Sequence, residues 1–442
     1  MAPEHLEASR WLWICALYGC AVFFLYSALR ATYRHKARRE YEHQEFCRNL
    51  GQHGESLDRS EREREGFLGN TTNFEERGLD NNMFVDSPGG HMLRYKAERS
   101  LSFHVIFMFE HTLLSNSQIL RHMLVSVLVA ALVCCGHIAV RRVIDVELLQ
   151  IAWLSDLDNM SNFLTSLIGI LLGFYISTVM TRWWSMRSQG IGGLWGAVDD
   201  LCILTGTYFP GPEWRRMRSL VLRYGLLSFE LTFMQNEGRD EELDTLVQRH
   251  LLTPHEAACL ANHPSKCSAV WAWVAWIFRE LQKQGHMSDV DLRLFLDKVL
   301  QARGGAGSLL ALIDTQLPFL YVQLLSSLVH FLTMVMAADC GVMTGAWIIS
   351  QKMSSPVLKF VQMLMVTYFY NGCLEIGRSF ANPCGHDFSD FPRHAYHFWM
   401  RNEAEVFHSI LERPPLAGVD MLKEAALRTG QDGKTSLSNV GA

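Results

Sequence analysis

The stretch that decides the fold is NMSNFLTSLIGILLGFYISTVMT, residues 159–181, which contains no charged side chain. The apolar core of a bilayer is about 30 Å thick, and an α-helix needs about 20 apolar residues to cross it. This stretch therefore predicts a membrane-spanning helix, and the protein is predicted to be an integral membrane protein.

Four other apolar stretches predict further spans, at residues 11–29, 120–140, 313–338 and 356–376. Basic residues stay on the cytoplasmic side of a span, and Arg30, Arg34 and Lys36 follow the first stretch. Residues 1–29 are therefore predicted to be a signal-anchor helix with the N-terminus outside. A cleaved targeting segment is the alternative.

The remaining segments predict polar and cytosolic parts. Residues 30–95 form a polar linker or arm, partly disordered, because no apolar period runs through them. Residues 182–312 show helical apolar spacing and are predicted to be cytosolic helices, with a break at Gly304, Gly305 and Gly307 before the third channel span. Residues 401–442 are predicted as a C-terminal helix and tail. No strand alternation is found, so the predicted fold is all-α.

Composition and motifs exclude several functional classes. The net charge of -5 over 442 residues does not suggest nucleic-acid binding. The eleven cysteines include no C-x-x-C pair, and no H-E-x-x-H or G-x-S-x-G motif is found. We therefore expect neither a zinc site nor an enzyme.

The span at 159–181 contains a stripe of three residues, Ser166, Ile170 and Phe174, at i, i+4 and i+8 on one helix face. Core packing explains such a stripe on a single helix. If several copies surround an axis, the stripe forms stacked rings and a narrow apolar constriction, which can gate by dewetting. Phenylalanine has a positive ring edge, which would favour an anion. Polar residues typical of water-filled surfaces precede the stripe: Asp156, Asp158, Asn159, Asn162 and Thr165.

Residues 171–184, LLGFYISTVMTRWW, resemble the pore-helix signature of the bestrophin family. Other segments resemble the family in the same order along the chain: Ser102-Phe103, Leu222-Arg223-Tyr224, Thr253-Pro254 with Pro264 and Trp271, Trp273 and Trp276, QLPFLYVQ at 316–323, 360–362, and Asn382-Pro383-Cys384-Gly385. The resemblance implies a channel domain over residues 96–400 with four spans, preceded by one extra N-terminal membrane helix.

The resemblance also implies a homopentamer around one central pore that conducts chloride, bicarbonate or other small anions. The family's pore neck falls on Ser166, Ile170 and Phe174. The family has an apolar residue where Ser166 stands, so a wetter and shorter neck and nearly constitutive conduction are expected. A second, cytosolic constriction falls on Val290, counted back from Arg303; a buried valine is the alternative.

Animal bestrophins have a calcium clasp after the turn that corresponds to Asn382-Pro383-Cys384-Gly385. The resemblance therefore implies Asp387 and Asp390, together with Asn382, as candidate calcium ligands in this chain. Calcium prefers several hard oxygen ligands, usually including carboxylates. The rest of the family's acidic run is missing, and Ser379 replaces its glutamine. A polar turn that bonds its own backbone is the alternative interpretation.

Trp183 and Trp184 are predicted to be anchors at the membrane interface. The expected partners are further copies of this chain, small anions and the lipid bilayer. Two alternative functions stay open. One is a bicarbonate channel that feeds carbon fixation in a photosynthetic organelle, and the other is a non-conducting membrane scaffold or regulatory subunit. The sequence does not distinguish a plasma membrane from a thylakoid membrane.

Overall fold

A computed structural model describes residues 16, 18–30, 84–87, 90–95, 113–143, 148–350, 356–385 and 390–412. The chain divides into two compact units. Unit 1 includes residues 1–86, 93–184 and 312–391, and unit 2 includes residues 87–92, 185–311 and 392–442. Each unit is described by its own contacts below.

The described chain is almost entirely helical, which confirms the all-α prediction. Residues 18–30 are helical, whereas residues 11–15 and 17 of the predicted first span lie outside the described residues. The later helices are α1 (Ser117–Val143), α2 (Leu148–Ser185), α3 (Gly192–Tyr208), α4 (Arg215–Asn236), α5 (Leu243–Gln248), α6 (Pro254–Leu260), α7 (Lys266–Lys283), α8 (Asp289–Asp314), α9 (Phe319–Ser350), α10 (Pro356–Ser379) and α11 (Arg393–Glu412).

Short elements complete the described chain. Leu113–Ser115 and Pro212–Trp214 are 3-10 turns, and Met186–Ile191 is a π-helical segment that joins α2 to α3. Two short strands, β1 (Phe84–Ser87) and β2 (Gly90–Tyr95), pair in a two-stranded sheet. We did not predict these strands, which lie in the segment expected to be a polar linker.

Three described helical segments are long and apolar enough to cross a membrane: Ser117–Val140, Asp158–Tyr208 and Phe319–Ile349. The second has 51 residues. It comprises the spanning part of α2, the π-helical segment and α3, and it has more than twice the roughly 20 residues that a bilayer core needs, so only part of it lies in the membrane. The fourth predicted channel span forms α10, which is more polar because it carries Lys359, Glu375 and Arg378.

The predicted start of the third channel span is wrong by several residues. We predicted a span over 313–338, but α8 continues to Asp314 and α9 covers Phe319–Ser350. Pro318 precedes α9, and its carbonyl accepts a hydrogen bond from Tyr321 N at 3.0 Å. The break between the helices therefore lies at the residues that lead into Pro318, since proline favours a helix start.

Unit 1 has a core formed by the spanning helices. A Cβ atom at Gly341 of α9 would lie 2.8 Å from Cβ of Val133 on α1, so a small residue is needed for this close approach. The helix at residues 18–30 joins the same core. Tyr18 is buried, and its ring meets Phe360 edge to face at 5.2 Å. The predicted extra N-terminal helix therefore packs with the channel spans.

Unit 2 has a core of aromatic side chains around a buried carboxylate. Trp271 is buried and donates a hydrogen bond to Ser228 Oγ at 2.8 Å. The carboxylate of Glu230 is buried and forms ion pairs with Arg249 and Arg393. Burial raises the pKa of Glu230, but the neighbouring His397 and the two arginines lower it more, so its pKa lies well below the usual value. This cluster connects α4 and α11 with the residues that follow α5.

Glycine in α8 is required for packing and does not break the helix, which corrects the prediction of a break at Gly304, Gly305 and Gly307. Gly305 is buried, and a Cβ atom there would overlap the backbone of Leu194 and lie 2.9 Å from Gly193 C. Gly304 and Gly307 have open space around them. The close contact between α8 and α3 therefore depends on Gly305.

We predict that Gly305→Ala destabilises the protein by about 1–3 kcal/mol, because the new methyl group must push the α3 backbone away. Gly307→Ala is the matched control on the same helix, and it should be stabilising by about 0.5–1 kcal/mol through helix propensity. Thermal unfolding of both purified variants, followed by circular dichroism, measures the difference. Equal melting temperatures for the two variants would contradict the packing role of Gly305.

Candidate functional site

Helix α2 has two faces with opposite environments. Ile168, Leu172 and Tyr175 are buried in the core of unit 1. On the other face, Ser166 is exposed, and the exposed fractions of Ile170 and Phe174 are 63% and 66%. The three residues of the predicted stripe therefore lie together on the exposed face and take no part in the packing of the chain itself.

Contacts with α9 and α10 hold the buried face of α2. The hydroxyl of Tyr370 donates a hydrogen bond to the carbonyl of Thr165 at 2.8 Å. The ring of Tyr175 lies against Gly377, where any Cβ atom would overlap it. Both contacts lie on the side of α2 opposite to Ile170, so they determine the direction in which the stripe points.

The exposed face of α2 differs in composition from an ordinary lipid-facing surface. On α10 the exposed residues before the last turn are all apolar, and the exposed Arg378 lies in the last turn: Val357, Leu358, Val361, Met365 and Phe369 are the apolar ones. On α2 the exposed residues include polar and small ones between the apolar ones: Asn159, Asn162, Ser166, Gly173, Ser177 and Thr181. Polar residues within membrane helices usually face a bundle interior or a water-filled cavity. This face of α2 is therefore suited to water or to another subunit.

The hydroxyl groups of this face are bonded to the helix itself. Ser166 Oγ donates to the carbonyl of Asn162 at 3.1 Å, and Thr178 Oγ1 donates to the carbonyl of Phe174 at 2.9 Å. Ser166 would have to rotate and lose this bond before its hydroxyl hydrogen could meet an anion. In the present conformation the stripe therefore presents the apolar side chains of Ile170 and Phe174, preceded along the helix by the oxygen of Ser166.

Three charged residues form an ion triad that joins three helices: Asp158 of α2, Asp339 of α9 and Lys359 of α10. The ammonium group of Lys359 donates to Asp158 Oδ1 and, at 3.2 Å, to Asp339 Oδ2. Asp339 is buried, whereas the side chain of Asp158 is 42% exposed. We did not predict this triad from the sequence. The available signal was a charged residue within each of two apolar stretches, since intramembrane charges are usually paired.

The residues predicted at other positions have different surroundings. Val290 is 79% exposed in the first turn of α8, so it is not a buried core valine in the described chain. The ring of Trp183 packs against Phe380 and Phe391, with centroid distances of 5.6 and 5.2 Å. Trp184 is exposed. Only Trp184 of the predicted pair therefore has a ring available to a membrane interface or to a neighbouring subunit.

The predicted calcium residues are only partly described, because Asp387 lies outside the described residues. The side-chain oxygen of Asn382 accepts a hydrogen bond from the backbone N–H of Cys384 at 3.2 Å. The carbonyl of Pro383 accepts from Phe391 N at 2.7 Å. Among the described residues, no three His, Cys, Asp or Glu side chains cluster closely enough to hold a metal ion.

Comparison with known proteins is consistent with this arrangement of helices. Residues 117–396 match the family model described as "Bestrophin, RFP-TM, chloride channel". Bestrophin homolog 22 of Caenorhabditis elegans is 30% identical over 231 residues, which are 50% of this chain and 44% of that protein. Human Bestrophin-1 is 27% identical over 237 residues, which are 51% of this chain and 39% of that protein. The chain thus spans less than half the length of these relatives.

Solved structures show the same fold. A crystal structure of a bacterial bestrophin homolog from Klebsiella pneumoniae, which carries a point mutation, has a TM-score of 0.54 and 18% sequence identity. The match covers 65% of this chain and 100% of the bacterial chain. A second structure of the bacterial homolog, phased with zinc, has a TM-score of 0.53 and covers 66% of this chain and 98% of that one.

We predict that Lys359→Met destabilises the protein by about 3–5 kcal/mol, because it leaves the buried Asp339 carboxylate without its counter-charge. The double variant Lys359→Met/Asp339→Leu removes both charges and should recover most of the loss. Thermal unfolding in detergent measures both changes. If the double variant unfolds at the same temperature as the single variant, the buried ion pair is not the cause.

Proposed function

The chain belongs to the bestrophin family, and we propose that it forms an anion channel in which several copies of α2 surround a central pore. One observation carries the proposal. Ser166, Ile170 and Phe174 project from the face of α2 that the chain leaves uncovered, while the opposite face is fastened to α9 and α10. A helix held in this way presents the same stripe in every subunit, as a pore lining requires.

We propose that the assembly is a homopentamer. A single α2 helix cannot enclose a pore, so the exposed stripe needs neighbouring copies to become a constriction. Further exposed aromatic side chains offer surface for contact between subunits. The exposed fractions of Trp184 and Trp276 are 64% and 62%. The buried Trp271, by contrast, is already used in the core of its own chain and is unavailable to a partner.

The proposed neck selects by dehydration. Ile170 and Phe174 supply no charge and no hydrogen bond, so an ion that passes them must give up part of its water. Anions that lose water easily are favoured, and the positive edge of the phenyl ring favours an anion over a cation. Chloride and bicarbonate are both proposed substrates, because no group in the stripe separates them. The hydroxyl of Ser166 wets the end of the neck and should make closure less complete.

The proposal is tested by conductance measurements on purified protein in planar bilayers with a chloride gradient. Phe174→Ala should change the conductance or the relative permeability of anions, because it removes one of the two apolar rings. Phe369→Ala is the matched control, since Phe369 is an exposed phenylalanine on α10, which is not the proposed pore-lining helix. It should leave both properties unchanged.

The outcome also separates the alternative functions. The mass of the particle, measured by light scattering, first establishes whether five copies assemble. A reversal potential near the chloride potential, altered by Phe174→Ala alone, supports the anion pore. A higher permeability for bicarbonate than for chloride would favour the role in carbon fixation. Absence of current from pentameric protein would instead favour a non-conducting scaffold.

Calcium regulation is a separate proposal that depends on Asp387 and Asp390. Carboxylates are the ligands that calcium prefers. The side-chain oxygen of Asn382 and the carbonyl of Pro383 already accept backbone hydrogen bonds, so the proposal rests on the two aspartates. The double variant Asp387→Asn/Asp390→Asn should remove any increase of current by micromolar calcium. Asp297→Asn/Asp314→Asn, at two exposed positions of α8, is the control for the loss of two charges. Equal calcium responses in the double variant and the wild type would exclude this turn as the sensor.

A further inference from the structure

A basic cleft lies in unit 2, at the start of α4. It has a volume of about 500 Å³ and is formed by the 3-10 turn before α4 and the first turns of α4. Its lining residues are Pro212, Arg215, Arg216, Ser219, Leu220 and Arg223. The five residues from α4 follow a helical spacing of i, i+1, i+4, i+5 and i+8, so they share one side of the helix.

One arginine of the cleft is already neutralised. Arg223 donates two hydrogen bonds to the carboxylate of Glu256, at 2.7 and 2.8 Å. Burial raises the pKa of Glu256, but the hydrogen bonds from Arg223, Tyr224 and Thr253 lower it to about 2. Glu256 therefore stays ionised, and the Arg223–Glu256 pair adds no net charge to the cleft.

The other two arginines of the cleft have no charge partner among the described residues. Arg215 and Arg216 are exposed, and neither forms an ion pair or a hydrogen bond within the described part of the chain. The nearby carboxylate of Glu213 lies against Gly211, where a Cβ atom would overlap it. Arg215 and Arg216 thus bring two positive charges to the cleft, which the carboxylate of Glu213 in the preceding 3-10 turn offsets only in part.

Both charges stand where the helix itself is positive. Arg215 and Arg216 lie in the first turn of α4, which contains no acidic residue, and Trp214 at the N-cap makes no side-chain cap. The N-terminal end of a helix dipole favours acidic side chains, so two arginines there oppose the local preference. A bound anion would relieve both the repulsion and the missing cap.

Hydrogen bonds hold the backbone on both sides of the cleft in place. Arg218, on the same helix, is buried and donates to the carbonyls of Phe209 and Gly211. These bonds hold the segment before α4 against the helix. The Arg223–Glu256 pair fixes the other end, because Glu256 also accepts from Thr253 N at 2.8 Å in the N-terminal cap of α6. The backbone that carries Arg215, Arg216 and Ser219 is therefore held in place, and their exposed side chains can turn towards a ligand.

We propose that this cleft binds a phosphate group with at least two negative charges. Two free guanidinium groups and the hydroxyl of Ser219 match the several oxygens of a phosphate, and arginine binds such oxyanions in a bidentate manner. The cleft is open, with a volume of about 500 Å³, and leaves room for a ligand larger than a chloride ion. The phosphate comes from a soluble molecule or from a lipid headgroup, and the two sources are distinguishable. The site does not depend on the proposed pore.

The test uses the full chain in nanodiscs and measures the binding of inorganic pyrophosphate by titration calorimetry. Arg215→Gln/Arg216→Gln should weaken binding about tenfold or more for each arginine removed, as expected for charged hydrogen bonds. Arg279→Gln/Arg293→Gln is the control, since it removes the same charge from exposed positions on α7 and α8. It should bind as the wild type does.

Two membrane compositions identify the source of the phosphate. In phosphatidylcholine nanodiscs pyrophosphate should bind at the cleft. In nanodiscs that also contain phosphatidylinositol bisphosphate, loss of pyrophosphate binding supports the site and assigns it to a lipid headgroup. Unchanged binding supports the site and assigns it to a soluble ligand. Absence of binding to wild-type protein in phosphatidylcholine nanodiscs, or equal weakening in both double variants, overturns the proposal.

Discussion

A helix in a bilayer must satisfy its backbone hydrogen bonds internally, so α2 can differ from other spans only in the side chains that each face presents. Contacts with the other elements of unit 1 determine which face of α2 is buried and which is exposed. Tyr370 bonds the carbonyl of Thr165, and Lys359 binds Asp158. Thr165 lies seven residues after Asp158, which is about two helical turns. Both bonds are therefore made on the same side of α2. Rotation of α2 would break them together and turn Ile170 away from its exposed direction.

The ion triad suits this task better than apolar packing alone would. Apolar packing depends on shape alone, whereas Asp339 is buried and has its charge partner only while Lys359 reaches it. Such a pair adds little net stability, but it penalises any register of the helices that leaves one charge alone. We infer that these charges fix the arrangement of the helices more than they add to its stability.

The sequence predicts what depends on local periodicity and misses what depends on distant contacts. Residues 159–181 predict the span and the shared face of Ser166, Ile170 and Phe174, since both follow from helical spacing. Gly305 was predicted to break a helix because glycine has low helix propensity, but tertiary contact with Leu194 decides its role. The triad of Asp158, Asp339 and Lys359 was missed for the same reason. It depends on tertiary contact, since about 180 residues separate Asp158 from Asp339.

The two proposed anion sites use opposite physics for different tasks. A conduction path must let an ion enter and leave, so a charged wall that binds tightly would slow passage. The uncharged Ile170 and Phe174 fit that requirement. The cleft on α4 instead places Arg215 and Arg216 beside a positive helix end, where only a multiply charged anion gains enough attraction to stay. Holding an anion requires strong fixed charge, whereas conducting one requires that such charge be absent. One chain can therefore carry out the two proposed tasks at separate places.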